Sequence, residues 1–118
     1  MSRIRTMEWS VYCIFEDCCE ASGPCKIGVT TDMSKRLSSL QGGNYRPLVV
    51  AWILKMPTRS VAFDMEAYCL SFLRPNIYGG RSQRRQLKSE WVDGSPTEAI
   101  AHVKRRLDAY LADESVAA

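Results

Sequence analysis

Four side chains in this 118-residue sequence have types and positions that could serve chemistry. Tyr12 and Lys26 lie in two predicted strands that follow each other along the chain. Arg36 lies at the edge of an apolar helical stripe, where its charged head can reach a cleft. Glu66 is an acid in the middle of a largely apolar predicted helix, which is an unusual position. The four can act together only if the fold brings them to one concave patch.

The tyrosine and the lysine are predicted to share a β-hairpin. The short aromatic and β-branched run VYCIF, which begins at Val11, predicts a strand, and CKIGV from Cys25 predicts a second one. If Cys13 lies opposite Cys25, then Tyr12 lies directly opposite Lys26 and both project from one face of the hairpin. A slip of one residue would place them on opposite faces.

The arginine belongs to the next predicted element. Asp32 is a good N-cap, the apolar residues after it recur at helical spacing, and Gly42-Gly43 ends the helix. The stripe consists of Met33, Leu37 and Leu40. The nearly unbroken apolar run Pro47–Met56 then predicts a strand that is buried on both faces at the centre of the sheet.

Two further helices complete the domain. The first, Ser60–Leu73, carries Glu66, and its apolar stripe is predicted to be Val61, Met65, Tyr68, Phe72 and Leu73. The segment Arg74–Glu90 has no clear periodicity and is predicted to be a loop. The last helix, Ser95–Leu111, starts with a capping box of Ser95 and Glu98, and a frayed tail follows from Ala112. Its predicted stripe is Ile100, Val103, Leu107, Tyr110 and Leu111.

The element order is therefore strand, strand, helix, strand, helix, helix. This order predicts one small α/β domain of the α+β kind over residues 1–118, with a core from about 9 to 111 and a short N-terminal arm. A three-stranded, largely antiparallel sheet is expected to be flanked by three helices.

The composition indicates the class of protein and its cellular compartment. The net charge is +3, and 46% of the residues are hydrophobic, which is ordinary for a globular domain. The sequence contains no run of about 18 apolar residues, so a membrane span is not expected. Its first ten residues do not resemble a signal peptide. We therefore expect a cytoplasmic protein. Its five cysteines are expected to be reduced thiols, and their spacing is a poor match to a zinc site.

An ordered series of short motifs resembles the GIY-YIG nuclease superfamily, most closely its phage and bacterial branch called T5orf172 or Mug113-like. No single triplet is specific, but the series has matching spacing from about residue 11 to 103. It consists of Val11-Tyr12-Cys13, Lys26-Ile27-Gly28, Thr31-Asp32, Arg36-Leu37, the turn Gly43-Asn44, Glu66 and Glu90-Trp91-Val92.

The resemblance implies hydrolysis of DNA phosphodiester bonds, for which the phosphate charge must be neutralised and a water activated. Glu66 matches the metal-binding glutamate and would hold Mg²⁺ or Mn²⁺. Arg36 matches the arginine that grips the phosphate. Tyr12 would be the general base or orient the water, and Lys26 would help by lowering the pKa of the phenol. The choice of base between Tyr12 and Lys26 stays open.

The sequence departs from the family pattern in three places. Lys26 replaces the second tyrosine of the name-giving motif, Ser10 replaces the first glycine, and Leu40 stands where many members have histidine. Asn76 is a loose match to the late asparagine of the family.

The predicted loop adds a basic DNA-binding segment, in which Tyr78 can stack on a base. Its basic residues are Arg74, Arg81, Arg84, Arg85 and Lys88, and its one acid, Glu90, lies at the far end. The expected partner is DNA, with RNA also compatible, and the protein is expected to act as a monomer or weak homodimer. Two alternatives remain: a catalytically silent DNA-binding module, and a phage-type protein-interaction or anti-defence factor on the same fold.

Overall fold

The computed structural model describes residues 8–17, 24–75 and 91–117. These residues form three helices and five strands, which confirms the predicted fold class and adds two short strands to the predicted sheet. The elements are β1 Ser10–Glu16, β2 Cys25–Thr30, α1 Met33–Gly42, β3 Leu48–Lys55, α2 Arg59–Phe72, β4 Arg74–Pro75, β5 Trp91–Asp93 and α3 Pro96–Ala117.

The sheet has the strand order β3-β1-β2-β5-β4, and every pairing in it is antiparallel. The middle strand of the five is β2, and β1 is an interior strand that pairs with both β2 and β3. The prediction that β3 lies buried at the sheet centre is therefore wrong, because β3 is an edge strand and most of its side chains keep some exposure. A run of apolar residues can form an edge strand that helices cover or a strand at the sheet centre, so apolar composition alone does not tell the two positions apart.

The hairpin register also differs from the prediction. Tyr12 lies opposite Gly28, and Lys26 lies opposite Ile14, so the pairing is shifted by two residues. Because side chains alternate between faces with a period of two, this shift leaves Tyr12 and Lys26 on the same face, as predicted.

Each face of the sheet has its own hydrophobic cluster. On one face, the buried side chains of β1 and β2 pack with α2 and α3, and the members are Val11, Cys13, Cys25, Ile27, Val61, Ala62, Met65, Cys69, Ala99 and Val103, among others. On the other face, Tyr12, Ile14 and Leu48 pack against the apolar stripe of α1, which is Met33, Leu37 and Leu40. Among the described residues the arrangement thus has three layers, with α1 as the helix that covers the face carrying Tyr12.

The predicted helix signals are largely confirmed. The side chain of Asp32 accepts a hydrogen bond from Lys35 N at 3.1 Å, and Ser95 Oγ accepts one from Glu98 N at 3.1 Å, so both are N-caps. The predicted end of the last helix is too early, because α3 runs to Ala117.

The predicted stripe of α2 is partly wrong. The buried residues are Val61, Ala62, Met65 and Cys69, whereas Phe72 is 54% exposed. Phe72 stacks on His102 of α3, so this side of α2 faces the neighbouring helix instead of the sheet. The predicted stripe of α3 holds at Val103, which is fully buried, but Leu111 is 48% exposed.

Candidate functional site

The centre of the candidate site is a contact between the phenol of Tyr12 and the guanidinium of Arg36. The Nε of Arg36 donates a hydrogen bond to the Tyr12 hydroxyl oxygen at 3.0 Å. Asp32 starts α1 so that Arg36 lies one turn into the helix, directly over the sheet face that carries Tyr12. The structure therefore brings two of the four predicted chemical residues together.

Gly28 makes this contact possible. A Cβ atom at position 28 would lie 2.3 Å from the Tyr12 hydroxyl oxygen and 2.4 Å from its Cζ, which is far inside van der Waals contact. The phenol ring thus lies across β2 in the space that a side chain at position 28 would fill. The glycine of the KIG triplet is needed for this packing, a reason that sequence reasoning did not supply.

Lys26 lies on the same face, one alternation along β2 from Gly28, and lines a cavity of ≈ 280 Å³. The cavity lies beyond the end of α1, next to the turn into β3. Its lining residues are Lys26, Ser39, Leu40, Gly43, Asn44, Leu48 and Trp91. Sequence reasoning did not assign the cavity, because Trp91 comes from β5, a strand that the sequence pattern did not predict.

Glu66 lies on α2, which packs against the opposite face of the sheet from Tyr12. Successive helical residues are rotated by about 100°, so Glu66 flanks the buried stripe of Ala62, Met65 and Cys69. The residues of α2 that contact α3, which include Asp64 and Phe72, lie on the other flank.

The direction of this flank follows from how the helices cover the sheet. The helix α2 contacts β1 and β2, whereas α3 contacts β1 and β3. The flank of α2 that faces away from α3 therefore faces the β2 side of the sheet. The half-exposed Glu66 lies on this flank, over the part of the sheet where β2 pairs with β5. The structure thus brings Tyr12, Arg36 and Lys26 to one face of the sheet and leaves the helix of Glu66 on the other.

Three buried thiols lie behind the site. Cys13, Cys25 and Cys69 are free and fully buried, as expected for Cys13 and Cys25. A hydrogen bond with Cys25 and burial raise the pKa of the Cys13 thiol, and burial raises that of Cys69 to about 12. Across residues 8–17, 24–75 and 91–117, no group of three or more His, Cys, Asp or Glu is arranged to hold a metal.

The remaining predicted residues cannot be placed in the site. Arg74 is in the two-residue strand β4, which corrects its assignment to a loop. The other predicted residues lie outside the described residues: Asn76, Tyr78, Arg81, Arg84, Arg85 and Lys88.

The T5orf172 domain profile matches residues 10–107, and the chain belongs to this family, whose domains are associated with GIY-YIG-like nucleases. Comparison with curated proteins and with solved structures gave no match. In the part of the chain that the structure describes, no helix is long and apolar enough to cross a membrane.

Proposed function

We propose that this protein is a cytoplasmic, metal-dependent endonuclease that hydrolyses phosphodiester bonds in DNA. The observation that carries the proposal is the hydrogen bond from Arg36 to Tyr12 over Gly28, on the same sheet face as Lys26. Membership of the T5orf172 family, with its association with nuclease-type domains, supports the same reading.

Arg36 is the proposed phosphate ligand. Its guanidinium has five N–H donors in a rigid fork, of which the bond to Tyr12 uses one. That bond fixes the plane of the fork, and a fixed fork suits the paired oxygens of a phosphate better than a flexible lysine does. A half-buried arginine also attracts an anion more strongly than a fully solvated one, because water screens it less.

Tyr12 and Lys26 differ in burial, and we assign them different roles on this basis. Tyr12 is 0% exposed, so its ring has no surface at which a substrate can dock in this conformation. We assign Tyr12 to positioning Arg36, and Lys26, which lines the open cavity, to direct contact with the substrate. This assignment favours Lys26 over Tyr12 as the general base, which is the choice that the sequence left open.

Glu66 is the proposed metal ligand. A half-exposed carboxylate is a hard oxygen donor, and one carboxylate with waters and substrate oxygens is a common way to hold Mg²⁺ or Mn²⁺. A divalent cation held there would neutralise the charge that develops on the phosphate. Glu66 lies on the helix that packs against the opposite face of the sheet from Tyr12, so the effect of Glu66→Gln on cutting is the decisive test of this role.

A plasmid-nicking assay with Mg²⁺, with Mn²⁺ and with EDTA tests the proposal. We expect nicks from the monomer in the presence of either metal and none with EDTA. Glu66→Gln and Arg36→Ala should each lower the nicking rate by at least about 100-fold, the order expected for removing one group that stabilises the transition state. DNA binding without metal should persist in both variants.

Matched variants separate chemistry from general charge loss. Lys35→Ala removes one positive charge from the exposed neighbour of Arg36, and Asp108→Asn neutralises an exposed acid on α3. Both should cut like the wild type. If Lys35→Ala and Arg36→Ala lose the same activity, Arg36 has no special role.

Tyr12→Phe keeps the ring over Gly28 and removes only the hydroxyl, so it tests the positioning role. A partial loss, about tenfold, with an unchanged pH profile of the cutting rate would fit positioning. A loss as complete as that of Lys26→Met, together with the loss of an ionisation from the pH profile, would make Tyr12 the base instead.

The complete burial of Tyr12 specifically favours a second function, a catalytically silent DNA-binding module. In that case the wild type binds DNA but does not cut it with either metal. A protein that neither cuts nor binds DNA would favour the interaction-factor alternative.

A further inference from the structure

Tyr45 is the most exposed large side chain of the described hydrophobic residues, at 94% of its surface. It lies in the turn between α1 and β3, beside the exposed Arg46. Single exposed aromatic residues are common on protein surfaces and carry no conclusion alone. Two features of the surroundings make this one different.

The first feature is that the backbone of the turn is held in place. Gln41 donates to the carbonyl of Arg46 at 2.9 Å and accepts from Leu48 N at 2.8 Å. Asn44 donates to Glu16 Oε2 at 3.0 Å and to the same carbonyl of Arg46 at 2.7 Å. Because the turn is already ordered, an exposed ring on it loses little entropy when it binds a ligand.

The second feature is the cavity that begins on the same turn, at Gly43 and Asn44. Its walls combine the indole of Trp91 and the side chains of Leu40 and Leu48 with polar groups from Lys26, Ser39 and Asn44. At ≈ 280 Å³ it lies near the lower end of small-ligand sites, roughly 300–1,000 Å³. A flat, partly apolar group with polar edges and a nearby negative charge fits this lining.

We propose that the cavity binds one unstacked nucleobase and that Tyr45 stacks on the neighbouring base. This inference rests on the proposed action on nucleic acid and names the substrate feature recognised, an unpaired nucleotide. The ammonium of Lys26 contacts the phosphate of that nucleotide, and Leu40, one helical turn beyond Arg36, places the cavity beside the phosphate ligand. The base is thus bound next to the phosphodiester bond that is presented to Arg36.

Binding to labelled single-stranded DNA, measured by fluorescence anisotropy in EDTA, tests this inference without any cleavage. The probes are an oligothymidine strand and an abasic strand of the same length, which carry the same phosphate charges. We expect the wild type to bind the base-bearing strand about 5- to 100-fold more tightly, the range given by stacking of one to a few bases.

Four variants show which residues produce the preference for the base-bearing strand. Tyr45→Ala should remove most of the preference for the base-bearing strand, whereas Tyr45→Phe should keep it because the ring remains. Ser39→Phe, a change at an exposed residue, should fill the cavity and lower the preference as well. Arg46→Ala should weaken both strands equally, since it removes only charge. Thermal unfolding verifies that each variant is folded.

Equal affinity of the wild type for the two strands would overturn the inference, as would an unchanged preference in both Tyr45→Ala and Ser39→Phe. The outcome is separable from that of the nuclease proposal. A base preference in a protein that never cuts DNA leaves the inference standing and removes the nuclease. Metal-dependent cutting without a base preference supports the nuclease proposal and overturns the inference about base binding.

Discussion

Replacing Gly28 by alanine tests the packing on which the candidate site depends. The added methyl group would lie 2.3 Å from the hydroxyl oxygen of Tyr12 and 2.8 Å from its Cε2. Backbone strain is not the issue at this position, because Gly28 lies in the extended strand β2 and does not have a positive φ. The three atoms nearest to the added methyl group all belong to Tyr12. The ring is fully buried, so it cannot swing into solvent without opening the contact between α1 and the sheet.

The expected cost follows from these distances. Carbon atoms pack best at about 3.5–4.0 Å, so the ring or the strand must move by roughly 1 Å. Overpacking of this kind costs about 1–3 kcal/mol, and loss of the bond to the charged Arg36 adds about 1.5–3 kcal/mol. Alanine in a strand gains about 0.5–1 kcal/mol over glycine. We therefore expect a net loss of about 1.5–5.5 kcal/mol in the free energy of unfolding.

Urea unfolding followed by circular dichroism measures this loss, and two further variants interpret it. Gly42→Ala is the matched control, because a Cβ there meets nothing within 4 Å, and it should be neutral or slightly stabilising. Tyr12→Leu removes the atoms that clash with the new methyl group. In that background, Gly28→Ala should cost nothing or stabilise by up to about 1 kcal/mol.

The double-mutant cycle gives a clear refutation. If Gly28→Ala costs as much beside leucine as beside tyrosine, the penalty does not come from the ring, and the proposed reason for the glycine is wrong. A Gly28→Ala protein as stable as the wild type that also cuts DNA at the wild-type rate would show that the contact between Arg36 and Tyr12 tolerates displacement.

Three other measurements test separate parts of the structure. Asp32→Ala should cost about 1 kcal/mol in urea unfolding because it leaves the Lys35 amide without its cap, whereas Asp32→Asn should cost much less. Burial raises the pKa of the Cys69 thiol from 9.0 to about 12, so the folded state favours the neutral thiol. Stability should therefore be intact below pH 9 and fall as the pH rises towards 12, by up to about 1.4 kcal/mol per pH unit, and Cys69→Ala should make that slope shallower. DNA affinity should fall with salt, and neutralising Arg84 and Arg85 together should flatten a log–log plot by about two units of slope, whereas an unchanged slope would remove these residues from the DNA contact.

Local signals predicted the parts of the fold that local physics determines. The carboxylate of Asp32 and the hydroxyl of Ser95 are short acceptors at the start of periodic apolar runs, and both cap helices in the structure. The order of the three long strands and three helices, and the reduced, buried state of Cys13 and Cys25, also followed from the residues, whereas the short strands β4 and β5 did not. Each of these features depends on neighbours within a few positions or on the general behaviour of apolar groups.

Features set by distant partners could not be read from the sequence. β3 lies at the sheet edge because it pairs with β1 on one side only, and the apolar content of a strand does not reveal how many partners it has. Likewise, Tyr68 and Phe72 have the spacing of a core stripe but contact Arg106 and His102 of α3. The short strand β5, which brings Trp91 to the cavity, pairs with β2 at Cys25 and Lys26 and with β4 on its other side, and both partners are distant in sequence.

The triplet Lys26-Ile27-Gly28 explains why Tyr12 and Lys26 share a face although the predicted register was incorrect. In a strand, the first and third residues share one face and the second faces the other way. Ile27 is fully buried in the cluster under α2, which fixes the orientation of the strand. Lys26 and Gly28 must then face α1, where one lines the cavity and the other receives the ring of Tyr12. A shift of two residues leaves each side chain of β2 on the same face. A shift of one residue would bury the lysine in the core. The burial of Ile27 therefore excludes the one-residue slip that would have separated Lys26 from Tyr12.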